Sequence, residues 1–267
     1  MPILSIITIN YNDVKGLKKT INSVFAQTFT QYEYIVIDGG SADDSKEYIE
    51  QCTGKLAYWV SEKDGGIFNA MNKGIAKAQG DYLLFLNSGD YLHDNEVLDK
   101  VFATHTREDI IYGNVIWQPG NYNGVYPDSL TFEHFINNTL PHQGSFIKKE
   151  LFNTVGLYDE QYAINSDWSF FLLAVYKFNC SYRHIDLIIS YCNTDGISLQ
   201  PGSWEKIAAM RRQVIEKHFA AFANEYKTFD LLKNELSLVK RTRGYRLHIQ
   251  LRKMFNKYFW GKENSAL

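Results

Sequence analysis

Three apolar runs, residues 3–9, 34–37 and 82–86, each give way abruptly to a polar cluster: Asn10-Tyr11-Asn12-Asp13, Asp38-Gly39-Gly40-Ser41 and Asn87-Ser88-Gly89-Asp90. Short runs this rich in Ile, Leu and Val bury both faces of a strand. Segments of helical periodicity separate them, the pattern of a parallel sheet covered by helices. In such an open sheet ligands bind beyond the carboxyl ends of the strands. The three clusters are therefore expected to meet along one sheet edge as a single site.

The spacing predicts the units in order. After the first run, Val14, Leu17, Ile21, Val24 and Phe25 recur at helical spacing, with Asp13 as candidate N-cap. Residues 41–52 read as a helix with acidic residues at its start, 56–60 as a short strand, and 67–78 as a helix closed by Gly80. A strand at 81–86, a helix near 95–104 and a strand at 109–112 continue the alternation, which predicts a right-handed parallel α/β core. Past residue 113 the alternation stops. Residues 117–127, rich in Gly, Asn, Pro and Tyr, read as a loop of the kind that covers a site, followed by a short helix or turn at 130–137. Residues 146–155 and 166–178 read as helices, 182–191 as a strand, and 204–222 as a helix with Ile207, Met210 and Val214 on its apolar face. From residue 226 onward the chain reads as amphipathic helix. The expected organisation is one α/β domain over 1–200 and a helical extension over 201–267.

Composition narrows the class. The 267 residues suffice for a sizeable core. Cys52, Cys180 and Cys192 have neither C-x-x-C spacing nor an even count, which argues against a disulfide scaffold or a zinc ribbon and for a reducing compartment. No run of eighteen apolar residues and no cleavable leader is visible, so neither a membrane span nor export is expected, and the expected location is cytoplasmic. The net charge of −2 conceals an asymmetry: residues 240–262 hold eight Lys or Arg and no Asp or Glu. Such a tail points to an anionic partner.

Asp38 lies at a strand end before two glycines, which let backbone approach a ligand closely. Its carboxylate suits a base or ribose donor, and a plain strand–turn–helix junction is the alternative. Four motifs in order carry a resemblance: Thr8-Ile9-Asn10-Tyr11-Asn12; Val36-Ile37-Asp38-Gly39-Gly40-Ser41; Ser61-Glu62-Lys63-Asp64-Gly65-Gly66-Ile67 with Asn69-Ala70-Met71-Asn72-Lys73-Gly74; and Phe85-Leu86-Asn87-Ser88-Gly89-Asp90. Together they resemble a family 2 glycosyltransferase of the GT-A fold over roughly residues 1–195, similar to bacterial enzymes of exopolysaccharide, O-antigen and colanic acid assembly. The resemblance implies a Rossmann-like, mostly parallel central sheet flanked by helices. It implies that Thr8, Asn10, Asp38 and Gly39 hold the nucleotide of a nucleoside diphosphate sugar donor, with Asp38 reading the base. Asp64 and Asn72 would lie along nucleotide and sugar, with Glu62 and Asn69 as lesser candidates. Asn69 and Asn72, at i and i+3, share one helix face.

Asn87-Ser88-Gly89-Asp90 takes the place of the family's aspartate motif, commonly D-x-D-D, with Asn87 as a donor contact and Asp90 as the one remaining carboxylate for a divalent cation, Mg²⁺ or Mn²⁺. Ser166-Asp167-Trp168 resembles the segment that supplies the catalytic base, which assigns Asp167 the removal of a proton from the acceptor hydroxyl in an inverting transfer. An N-cap role for Asp167 is the alternative. Pro141-His142-Gln143-Gly144 resembles a motif preceding the base segment, so His142 and Gln143 are candidate phosphate or acceptor contacts, and Trp168 either stacks on a sugar or anchors its helix. The acceptor implied is a glycan or lipid-linked saccharide. The basic tail, carrying Tyr245, Leu247, Ile249, Leu251, Met254, Phe255, Tyr258, Phe259 and Trp260, suits an anionic membrane surface or a docked helix, and no nucleic-acid recognition motif accompanies it. A sugar nucleotidyltransferase, the rival enzyme, needs a Gly-rich basic phosphate loop where this chain has Asn10-Tyr11-Asn12-Asp13. A non-catalytic nucleotide-sugar binding protein of the same fold is the rival outside enzymes.

Overall fold

The computed structural model describes residues 1–103, 107–194, 196, 200 and 202–259. Strands β1 (Leu4–Asn10), β2 (Tyr32–Asp38), β3 (Tyr58–Ser61) and β4 (Tyr82–Phe85) lie parallel in the order β3-β2-β1-β4. Every residue of β1 and β4 is buried, as their unbroken apolar runs require. Helix α1 (Val14–Phe25) starts where Asp13 accepts a hydrogen bond from the Gly16 N–H at 2.9 Å, and buries Leu17, Ile21 and Val24 against Leu4, Ile6, Tyr34 and Val36. Each such aliphatic side chain contributes about 1.5–3 kcal/mol when fully buried. Helices α2 (Ser45–Cys52) and α3 (Ile67–Lys77) complete the first units. The expected helix over 41–52 begins at Ser45 because the Ser41 side chain and N–H are engaged by strand-end groups.

Beyond β4 come β5 (Tyr91–Leu92), α4 (Val97–Phe102), β6 (Ile110–Gln118), β7 (Tyr122–Gly124) and α5 (Phe132–Asn137). A 3-10 turn over His142–Gly144, β8 (Ser145–Lys148), α6 (Leu151–Val155), α7 (Ser166–Tyr176) and β9 (Tyr182–Asn193) follow. The sheet runs β3-β2-β1-β4-β8-β6-β9-β5, with β7 on β6. The second half is mixed: β8 is antiparallel to both β4 and β6, and β6 is parallel to β9. Residues 146–155, expected as one helix, divide into β8 and α6. Phe146 and Ile147 are adjacent and both wholly buried, as a central strand demands and a one-faced helix does not. The expected loop at 117–127 is partly a hairpin, since β6 extends to Gln118 and β7 returns along it. Thr104, at the end of the helix expected near 95–104, lies outside the described residues.

Contacts divide the chain into two compact units, Met1–Met210 and Arg211–Leu267. Helix α8 (Ser203–His218) buries Ile207, Met210 and Val214. In the second unit, α9 (Ala223–Arg241) exposes Leu231, Leu232, Leu236, Leu238 and Val239, and α10 (Arg243–Phe259) exposes Leu247 and Leu251. The side chains of Met254, Phe255, Tyr258 and Phe259 and all of Trp260 lie outside the described residues. Among the described residues no helix is long and apolar enough to cross a membrane.

Candidate functional site

The three strand-end clusters meet. Asn10, the last residue of β1, donates through Nδ2 to Asp38 Oδ1 at 2.7 Å and Ser41 Oγ at 3.2 Å, and its Oδ1 accepts from Ser88 Oγ at 2.7 Å. One amide thus ties the ends of β1 and β2 to the turn after β4. From the other side α1 grips that turn: Thr20 Oγ1 donates to the Asp90 carbonyl at 2.6 Å and accepts from the Gly89 N–H at 3.1 Å.

Asp38 is wholly buried, and its carboxylate accepts from Asn10 Nδ2, Ser41 Oγ, the Ser41 N–H and Ser61 Oγ. Burial alone raises a carboxyl pKa, but these donors outweigh it and hold Asp38 below its ordinary value. The carboxylate expected to read a base is thus held in place by four internal donors. Thr8, expected against the nucleotide, is likewise buried, its Oγ1 2.9 Å from the Tyr34 hydroxyl. The alternation of β1 puts Thr8 in the core, two residues below the strand end. The exposed side chain here is Tyr11, beside Gly39.

Gly39 is where backbone and side chain approach closely: a Cβ there would lie 3.1 Å from Asp64 Oδ2. Asp64 forms an ion pair with Lys73 at 2.6 Å, and Lys73 also reaches Glu62 at 2.7 Å. Desolvation favours the neutral amine, yet the two carboxylates prevail and raise the Lys73 pKa. Asn69 and Asn72 do share one face of α3, and both donate to Glu160, at 2.9 and 2.8 Å. Asn72 also donates to the Tyr158 carbonyl at 2.9 Å and accepts from the Tyr158 N–H at 3.1 Å. The amide expected along the donor pins the loop that leads to α7.

Asp167 stands in the first turn of α7, with Asn165 at the N-cap position. Its Oδ2 lies 3.1 Å from His142 Nδ1, and His142 Nε2 lies 3.2 Å from Asn87 Nδ2. The His142 and Asp167 side chains are 16% and 14% exposed, open enough to meet a small ligand atom. Asp90, in contrast, is 3% exposed and accepts from the Asn193 N–H at 2.8 Å. Burial pushes its carboxyl pKa up to about 6 against the opposing pull of the Asn193 N–H, the nearby His142 and the Gln143 amide. Gln143 lies behind the site against Asp90, with Oε1 buried and unpartnered. Trp168 is corrected to a core anchor: it is wholly buried and its Nε1 donates to the Phe135 carbonyl at 2.6 Å, leaving no face for a sugar.

Sequence reasoning missed Ser41, Ser61 and Ser88 as the hydroxyls that close this network, Lys73 as the cation between Glu62 and Asp64, and Glu160 as the clasp on α3. Ser41, Ser61, Ser88 and Lys73 all lie inside the quoted motifs, so their position was the available signal.

Known proteins share sequence and fold with this chain. The model of the family described as "Glycosyl transferase family 2" matches residues 5–162. The chain is 38% identical over 182 residues to an uncharacterized glycosyltransferase of Mycobacterium tuberculosis, covering 65% of this chain and 69% of the relative. It is 32% identical over 178 residues to a PGL/p-HBAD biosynthesis glycosyltransferase of Mycobacterium bovis, covering 63% of this chain and 68% of the relative. Among solved structures it is similar to S. aureus TarS 1-349 in complex with UDP-GlcNAc, with a TM-score of 0.65 and 20% identity over 82% of this chain and 67% of that one. It spans 40% of the longer TarS chain. The mannosyltransferase PcManGT from Pyrobaculum calidifontis, in complex with GDP-Man and Mn²⁺, gives a TM-score of 0.57 at 12% identity over 94% of this chain and 84% of that one. These likenesses show a GT-A fold. With the family model covering more than half of the residues, from β1 through Glu160, the chain belongs to glycosyltransferase family 2.

Proposed function

We propose that the chain is an inverting glycosyltransferase that moves a hexose-type sugar from a nucleoside diphosphate donor to a glycan acceptor, lipid-linked, in bacterial surface polysaccharide or glycolipid assembly. The observation that carries this reading is a hydrogen-bonded path. It runs from Asp38 through Asn10 to Ser88 and, from the adjacent Asn87, through His142 to the partly open Asp167. A candidate base is thereby tied to the strand ends where the family motifs lie. The mycobacterial relative, named for PGL/p-HBAD biosynthesis, and the UDP-GlcNAc complex of TarS support a sugar-nucleotide donor and a biosynthetic glycosyl transfer.

In the proposed reaction the acceptor hydroxyl oxygen attacks the anomeric carbon from the side opposite the phosphate. Asp167 takes the hydroxyl proton, and the carbon–oxygen bond to the diphosphate breaks with its electron pair going to the leaving group. A single carboxylate suffices because the nucleoside diphosphate leaves as a stable anion.

Among the described residues no three His, Cys, Asp or Glu side chains gather as a metal site. Mg²⁺, however, is commonly held by one or two carboxylates plus substrate phosphates, and Asp90, the carboxylate of the turn after β4, would complete that minimal donor set once a cation displaced the proton that burial favours. Asp90 would hold the cation, whose chemistry is to offset the charge developing on the diphosphate. The basic stretch from residue 240 to 262, with Leu247 and Leu251 exposed on α10, supports peripheral attachment to an anionic cytoplasmic membrane face.

Thermal-shift binding with UDP-, GDP- and dTDP-sugars identifies the donor. With that donor, Asp167→Asn is expected to lower turnover by at least about 100-fold while the donor-induced thermal shift is retained. Normal turnover by this variant would remove Asp167 as the base.

A further inference from the structure

We propose that His142 is the positioning residue of the Asp167 base, and that Asn87 selects which nitrogen of its ring carries the hydrogen. The inference rests on the reading of Asp167 as base.

The imidazole bridges two groups of different chemistry. Its Nε2 faces Asn87 Nδ2 at 3.2 Å, and its Nδ1 faces Asp167 Oδ2 at 3.1 Å. A carboxylate only accepts, so Nδ1 carries a hydrogen, and in a neutral ring Nε2 is the bare nitrogen that accepts from the Asn87 amide. A neutral ring then has its hydrogen on Nδ1, which donates to the carboxylate. The other oxygen of Asp167, Oδ1, accepts from the Trp168 N–H at 2.9 Å, and Trp168 is itself fixed in the core by its bond to Phe135. The carboxylate is thus gripped from two sides, by the start of α7 and by the ring. Both ring nitrogens face groups of the protein.

This arrangement gives a physical sense to the amide at position 87. An aspartate there would accept from an Nε2–H and favour a hydrogen on both nitrogens. The resulting cation beside Asp167 would stabilise the charged carboxylate and weaken it as a base. Asn87 adds no charge that would favour that cation. The other titratable groups facing the pair are Asp90, close enough to feel the ring, and the buried Tyr158 hydroxyl beside Asp167.

The test uses full-length protein labelled with ¹⁵N-histidine, with the His142 signals identified by their loss in His142→Asn. At neutral pH the ring is expected as the Nδ1–H form, and Asn87→Asp is expected to add a proton at Nε2. An Nε2–H form in the unaltered protein overturns the proposal. Kinetics supply the second reading, as nucleoside diphosphate release from UDP-N-acetylglucosamine or whichever panel sugar nucleotide gives the larger thermal shift. His142→Ala is expected to lower kcat about 10- to 100-fold with the donor KM within about twofold, the size of a misplaced base. His142→Asn, whose amide nitrogen reaches toward the place of Nδ1, should regain at least about tenfold of that loss, and Asn87→Asp should move the acid limb of the kcat profile to lower pH. A raised donor KM with unchanged kcat in His142→Ala would make the residue a donor contact instead. Inactive Asp167→Asn with unimpaired His142→Ala overturns the positioning role alone. Active Asp167→Asn overturns both the base and this inference.

Discussion

Asp38, the last residue of β2, and Asp90, just before β5, are both buried carboxylates, and their surroundings push them in opposite directions. Asp38 has enough donors to stay charged, whereas desolvation dominates at Asp90 and raises its pKa from 3.8 to about 6. The sign of the consequence follows from proton binding. Between these two values the folded protein holds a proton that the unfolded chain has lost, so stability falls as pH rises through that window, and above it the full cost of about 3 kcal/mol is present. Asp90→Asn cannot ionise and keeps an oxygen for the Asn193 N–H. In EDTA it is expected to gain up to about 3 kcal/mol near pH 8 and almost nothing near pH 4, read by urea unfolding at both. With Mg²⁺ or Mn²⁺ added, only the unaltered protein should gain further donor-dependent stability, and equal gains would remove Asp90 from cation binding. The sequence identified these positions because acids and amides crowd together after apolar runs. Periodicity could not show that Asp38, Thr8, Asn72 and Trp168 spend polar atoms internally, since apart from Ser41, three residues from Asp38, the partners lie 23 to 88 residues away.

Periodicity served best for the long amphipathic pieces and worst for short buried ones. Helices α1 and α3 and the four parallel strands were readable because apolar residues recur over enough length to fix the period, and Asp13 caps α1 as its position predicts. Strand β8, four residues long, has no period to read, and β7 lies within a Gly- and Asn-rich segment that imitates a loop. In α3, Gly74 offers a test of packing against propensity. Gly to Ala in a solvent-facing helix gains about 1 kcal/mol. Here the added Cβ would come within 2.5 Å of Cγ2 of Ile7, which is wholly buried in β1. Gly74→Ala is therefore expected to lose about 1–3 kcal/mol in urea unfolding, and any gain would show that α3 is free to shift from the sheet.

The chain as a whole separates its charges. The cations of residues 240–262 leave the rest acidic, and Lys240, Arg241, Arg243 and Arg246 are all exposed in the second unit. Each basic group near an anionic surface contributes about 1 kcal/mol, so changing these four to Gln should weaken binding to phosphatidylglycerol vesicles by more than about tenfold. Sedimentation with vesicles at low and high salt measures this; binding unchanged by charge or salt would remove the electrostatic attachment. The order of the sheet has another consequence, in the timing of synthesis. Strand β8, which sits between β4 and β6, is made after both. Until residue 148 has left the ribosome, β4 and β6 each present an unpaired edge on the side that β8 will fill. Nascent chains from which β6 but not β8 has emerged should therefore engage chaperones or aggregate, while those from which β8 and β9 have both emerged can close the sheet and escape both.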